Sequence, residues 1–92
     1  MMSKIDDYIK ERSRRDPEFA AKAKQEDFNL DAAVAVSDLR ESMHLNQRDF
    51  AKLVGKPQST ISRIEHGSMN VSTQLLSQIA EASHKKLRIE FV

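Results

Sequence analysis

Apolar residues recur along most of this chain at intervals of three and four, and switch to intervals of two only at its end. Ala32, Val36, Leu39 and Met43, with Arg40 among them, mark one helical stripe. Asn46 is a predicted N-cap for a short helix that turns Phe50, Ala51 and Val54 inward and stops at Gly55. Pro57 to His66 holds Ile61 and Ile64 on one face and ends at Gly67. Ser72 caps a last helix with Leu75, Leu76, Ile79, Ala80 and Ser83 inward. Short connections between these four segments predict a bundle of low contact order.

The flanks read differently. Ile5, Tyr8, Ile9 and Arg12 fall at helical spacing, and Asp16-Pro17-Glu18 is a second start signal, with Phe19, Ala20, Ala23 and Lys24 along one side. This stripe is too thin to fold alone, so the segment is expected to dock on something. At the other end Leu87, Ile89 and Phe91 alternate with Arg88 and Glu90, the period of a β-strand. No second strand is evident. A lone strand needs a partner for its backbone, and a second copy across a two-fold axis is the economical one. The expected organisation is an N-terminal helical extension at 1–29, a helical domain at 30–85 and a short dimerising strand at 86–92.

Composition narrows the function. Ninety-two residues make one small domain, and 2 Gly and 2 Pro argue against a many-stranded barrel. With no Cys, a disulfide scaffold, a Cys-based zinc finger and a thiol nucleophile are excluded. No apolar run is long enough to span a bilayer and the first residues do not read as a secretion signal, so a cytoplasmic protein without membrane partners is expected. Net charge is +1, with 7 residues of each sign in 1–29 and 5 of each in 30–67. Charge therefore neither demands nor forbids nucleic acid. His44, His66 and His84 lie far apart, the adjacent acids Asp6-Asp7 and Glu26-Asp27 point to different helix faces, and there is no glycine-rich phosphate loop. Neither catalysis nor a cofactor is expected. Arg12, Arg14 and Arg15 lack the aromatic platform of a single-strand binder and read as a solvated face.

The stretch from Leu45 to Gly67 carries the chemistry. Anchoring at Ile61 and Ile64 turns Gln58, Ser59, Ser62 and Arg63 outward, with Thr60 flanking. Gln can pair N6 and N7 of adenine, Arg can pair O6 and N7 of guanine, and Ser or Thr serves either base. Asn46-Gln47, Phe50-Ala51, Gly55, Gln58-Ser59, Ile61-Ser62, Arg63-Ile64-Glu65 and Gly67 together resemble the helix-turn-helix of the lambdoid-phage repressor and Cro family, also called the xenobiotic-response-element (XRE) family, over about residues 36–83. The resemblance implies an all-α, lambda-repressor-like bundle. It implies DNA contacts from Asn46, Gln47, Lys56, Gln58, Ser59, Thr60, Ser62 and Arg63, with Gln47 touching phosphate and bracing Gln58. It also implies a buried ion pair between Arg40 and Glu65.

Three features depart from the family. His44 stands where Gly is usual, so it must adopt a left-handed conformation or alter the turn. Pro57 replaces a capping Ser or Thr, so that cap is lost or shifts to Lys56, and the loop Ser68-Met69-Asn70-Val71 lacks basic residues. Weak affinity per monomer, and hence dimerisation, is expected.

The flanks, taken with this motif, resemble HigA-type antitoxins. That implies a repressor that binds a palindromic operator as a homodimer, neutralises a HigB/RelE-like mRNA-cleaving toxin and autoregulates its operon. Tyr8, Ile9, Phe19 and Phe28 are then the toxin-binding candidates, and Leu87, Ile89 and Phe91 the dimerisation candidates. A phage-type or housekeeping regulator without a toxin, and a scaffold using the bundle for protein contacts alone, are the alternatives.

Overall fold

Each helix begins and ends where a side chain or a backbone conformation forces it to. The computed structural model describes residues 4–92. Helix α1 (Lys4–Arg15) closes with the Asp16 N–H donating to Arg12 O at 2.9 Å. Pro17 disfavours helical geometry at the residue before it, and Asp16 is extended at φ −133°, ψ 98°. Its Oδ1 accepts from the N–H groups of Glu18 and Phe19 at 3.1 and 3.2 Å, which starts α2 (Pro17–Ser42). One residue thus reverses the chain and lays α1 against α2.

Helix α2 is continuous for 26 residues, about 39 Å at 1.5 Å per residue. The two segments expected on either side of residues 29 and 30 are one rod, so that boundary falls inside a helix. The N-terminal half packs against α1, whereas Val36, Leu39 and Met43 on the other half enter the main core. At mid-helix the buried Asn29 carboxamide lies 2.9 Å from those of Gln25 and Asn70. This ties α2 to the loop after α4.

Three short helices complete the bundle: α3 (Gln47–Val54), α4 (Gln58–Glu65) and α5 (Thr73–Ala82). Asn46 caps α3 by accepting the Asp49 N–H at 2.7 Å, and Ser72 caps α5 by accepting the Leu75 N–H at 3.0 Å. Pro57 is the N-cap residue of α4 and makes no side-chain cap, so the family's cap is lost and does not shift to Lys56. The core joins Val36, Phe50, Ala51, Val54, Ile61, Ile64 and Ile79. Phe50, Ile61 and Ile64 are 0% exposed. Ser83, also buried, donates its hydroxyl to Ile79 O at 2.7 Å and so carries no orphan polar group.

Residues 86–92 correct one expectation. They take no regular secondary structure, and no strand exists among the described residues. The alternation of Leu87, Ile89 and Phe91 is present, yet a strand is defined by its ladder, and a single chain offers none to pair with. Leu87 is half-buried, while Ile89 and Phe91 are 65% and 104% exposed. The molecule measures 44 × 25 × 24 Å. Its radius of gyration is 15.5 Å, against about 12 Å for a compact chain of this length, because α1 and the first half of α2 project from the bundle. Among the described residues, no helix is long and apolar enough to cross a membrane.

Candidate nucleic-acid interface

Helix α4 is held by its inner face and both ends, which leaves its outer face free. Gly55 ends α3 in the left-handed region at φ 70°, and the Lys56 N–H returns to Ala51 O at 3.0 Å. That turn leads the chain into α4, which packs against α3. Ile61 and Ile64 then fix the helix by burial. With 100° between successive residues, Ser59 and Arg63 fall opposite the two isoleucines. Gln58, Ser59 and Arg63 are exposed, and Thr60 and Ser62 are half-buried on the flanks. Among the described residues no ion pair engages Arg63.

The C-terminal end of α4 is clamped to α2. Arg40 Nε donates to Glu65 Oε1 and Oε2 at 3.2 and 3.0 Å, and Nη2 donates to Oε1 at 2.9 Å. The other arm of the guanidinium, Nη1, donates to Leu45 O at 2.9 Å, which also holds the turn before α3. The Ser37 hydroxyl donates to Glu65 Oε1 at 2.8 Å. The two charged side chains are 17% and 6% exposed. Burial pushes the Glu65 carboxyl up, but the Arg40 and Ser37 hydrogen bonds, the Arg40 charge and a hydrogen bond from Gln47 outweigh it, holding the group below its ordinary range. Its hydrogen bond to Glu65 holds Arg40 above its ordinary value despite opposing desolvation. The ion pair expected from the resemblance is therefore present. Ser37 is the member that sequence reading missed, although its position three residues before Arg40 puts both on one face of α2.

The remaining expected contacts divide. Asn46 is exposed, but its carboxamide oxygen is committed to the α3 cap. Gln47 is half-buried and belongs to the Glu65 network. Lys56 is half-buried at the α3–α4 turn, and no ion pair engages it among the described residues. His44 does take the left-handed conformation, at φ 58°. His66, next after α4, lies with Nδ1 2.6 Å from Ser62 O. A carbonyl only accepts, so Nδ1 carries the proton and Nε2 is the ring nitrogen left for other partners.

On the arm, Tyr8, Ile9 and Phe28 are exposed. Phe19 differs. It is half-buried, and the Arg12 guanidinium stands 4.2 Å from its ring centroid, a cation–π contact that packs α1 onto α2. No spacing pattern signals this contact, which exists only because Asp16 folds the two helices together. Among the described residues no cluster of His, Cys, Asp or Glu is placed to hold a metal.

Comparison with known proteins agrees with the two-helix core. No solved structure matches. Antitoxin PezA of Streptococcus pneumoniae serotype 4 is 37% identical over 46 residues, which is 50% of this chain and 29% of that relative. The chain thus spans under a third of that protein's length. A family model described as Helix-turn-helix matches residues 36–87, the stretch that holds the Arg40–Glu65 clamp and all of α3, α4 and α5. The chain belongs to the XRE-type helix-turn-helix family of DNA-binding domains.

Proposed function

We propose that the protein is a sequence-specific transcriptional repressor that also serves as the antitoxin of a type II toxin–antitoxin system. The observation that carries the DNA reading is the outer face of α4. Gln58, Ser59 and Arg63 stand in solvent, backed by two fully buried isoleucines and clamped at Glu65. A helix so held enters the major groove with its N-terminal side chains toward the base edges. A homodimer places two such helices in successive grooves of a palindromic operator, about 34 Å apart. The exposed Ile89 and Phe91, with Leu87, are the contact we assign to the second copy. The site of action is the cytoplasm, on the nucleoid, with neither a cofactor nor catalysis involved.

The antitoxin role rests on the similarity to a protein named as an antitoxin and on the projecting arm. The arm presents Tyr8, Ile9 and Phe28, apolar surface of the kind that binds a protein partner. A HigB/RelE-like ribonuclease is the partner class we assign, with the operon under autoregulation. A regulator without a toxin is the second reading, favoured by the Arg12–Phe19 stack, through which α1 satisfies itself on α2.

Gel shifts on the upstream promoter test the first role. Arg63→Ala is expected to relax preference at one base position, at a cost of about 1–3 kcal/mol. Equal binding of promoter and scrambled duplex by the wild type would remove the reading role. Co-purification with the adjacent open reading frame tests the second. Removal of residues 1–15, leaving α2 and its Asn29 anchor whole, is expected to keep DNA binding and weaken toxin capture, since Tyr8 and Ile9 are lost while Phe28 stays. A truncated protein that holds the toxin as tightly as the full chain sinks the assignment of α1.

A further inference from the structure

A cleft of about 370 Å³ runs beside α4, between the α3–α4 turn and the outward face of α5. Lys56 and Thr60 line one wall, and Ser72, Gln74 and Gln78 line the other. Every one of these side chains offers a hydrogen-bond donor, and no acidic residue lines the cleft. Among the described residues Lys56 has no ion pair. The Ser72 oxygen accepts the Leu75 N–H in its capping role, which leaves the hydroxyl proton to be donated elsewhere. Glu81, one turn further along α5 from Gln78, lines an adjoining hollow that shares Lys56 and Gln78 with the cleft.

Position decides what such a cleft takes. A helix with its side chains is about 10–12 Å across, and the major groove is about 12 Å wide, so a helix lying in it has a sugar–phosphate wall on each flank. Thr60 lies three residues before Arg63, on the flank of α4 that turns toward α5. The cleft therefore opens at the rim of the reading face. With only one cation, Arg63, on that face, backbone affinity must come from its borders.

We infer that the Lys56–Thr60–Gln74–Gln78 cleft holds a DNA backbone phosphate and sets the depth and register of α4 in the groove, with Gln74 and Gln78 as positioning residues. This rests on the DNA reading above. It adds to that reading a phosphate seat contributed by α5, a helix that has no role in reading bases.

The test places charge in the cleft and reads the salt dependence of binding. Gln78→Lys, Gln78→Glu and Ser77→Lys are compared with the wild type by fluorescence anisotropy, on promoter DNA and on a random-sequence duplex. Both positions are exposed on α5, and Ser77 lies 100° around the helix, outside the cleft. Gln78→Lys is expected to steepen the log–log salt slope by about 0.9, which over a fourfold rise in salt is about a 3.5-fold greater loss of affinity than in the wild type. Gln78→Glu is expected to weaken binding to both duplexes by the same factor, leaving the promoter-to-random ratio unchanged. Equal steepening by Ser77→Lys and Gln78→Lys overturns the cleft in favour of simple net charge, and so do unmoved slopes in both Gln78 variants. A wild type that binds no duplex overturns the DNA reading itself and the phosphate seat with it.

Discussion

Replacing Arg40 with Met asks how much of the fold depends on a single buried pair. The substitution keeps most of the aliphatic stem but removes three short contacts to Glu65 and the bond to Leu45 O. Glu65, 6% exposed, keeps only Ser37 and Gln47 as partners. An uncompensated charge at that depth costs about 3–5 kcal/mol. A domain of this size has a total stability of about 5–14 kcal/mol, so the variant should be severely destabilised at neutral pH. The pH dependence separates charge from packing. In the wild type the depressed Glu65 adds stability that is present above the unfolded value of 4.5 and fades as pH falls through the lower folded value. Without Arg40 burial becomes the dominant influence and raises the folded value, so acid now favours the variant's native state by neutralising Glu65. The gap between wild type and variant should shrink from pH 7 to pH 4. Urea titrations followed by far-ultraviolet circular dichroism at both pH values measure it, and Arg40→Met/Glu65→Leu should recover much of the loss. A single-variant deficit below about 1 kcal/mol, or one unchanged by pH, would refute the claim that an uncompensated Glu65 charge causes it.

Two further outcomes follow from backbone conformation. Gly67 sits at φ 68°, and a Cβ there would lie 3.3 Å from Leu30 Cδ2. Gly55 has a similar φ of 70° with open space around it. Each Gly→Ala variant should lose about 1–2 kcal/mol from the left-handed conformation, with Gly67→Ala at the upper end, and matched thermal melts would rank them. His44→Gly removes the same strain from a non-glycine residue at φ 58° and should raise stability by about 0.5–1 kcal/mol. A lower melting temperature would mean that the imidazole makes a compensating contact.

Much of the interface was legible because the motif is local. Within 22 residues Asn46, Gly55, Ile61 and Ile64 state where two helices start, turn and bury, and the side chains left over are the reading face. The Arg40–Glu65 pair was legible only by resemblance, since nothing in the residues themselves joins positions 25 apart. The continuity of α2 was missed because its apolar stripe changes face near Asn29, from the α1 side to the bundle side. That breaks the periodicity, while Lys24 to Asp31 contains no helix breaker. The strand at 86–92 shows the opposite error. Alternation describes which side chains could share a face, but the hydrogen bonds that make a strand come from a neighbour.

The unbroken α2 has a consequence for how the arm is aimed. With no hinge between Asp16 and Met43, the bearing of α1 around the rod is set by residue count alone, like the teeth of an indexed shaft. Adding one residue near Lys24 would swing the arm by 100° and push it out by about 1.5 Å. Adding seven would bring it almost back to its original heading, about 10 Å farther out. Whatever the arm carries thus keeps a fixed compass direction relative to the duplex under α4, and the chain can change that direction only in discrete steps.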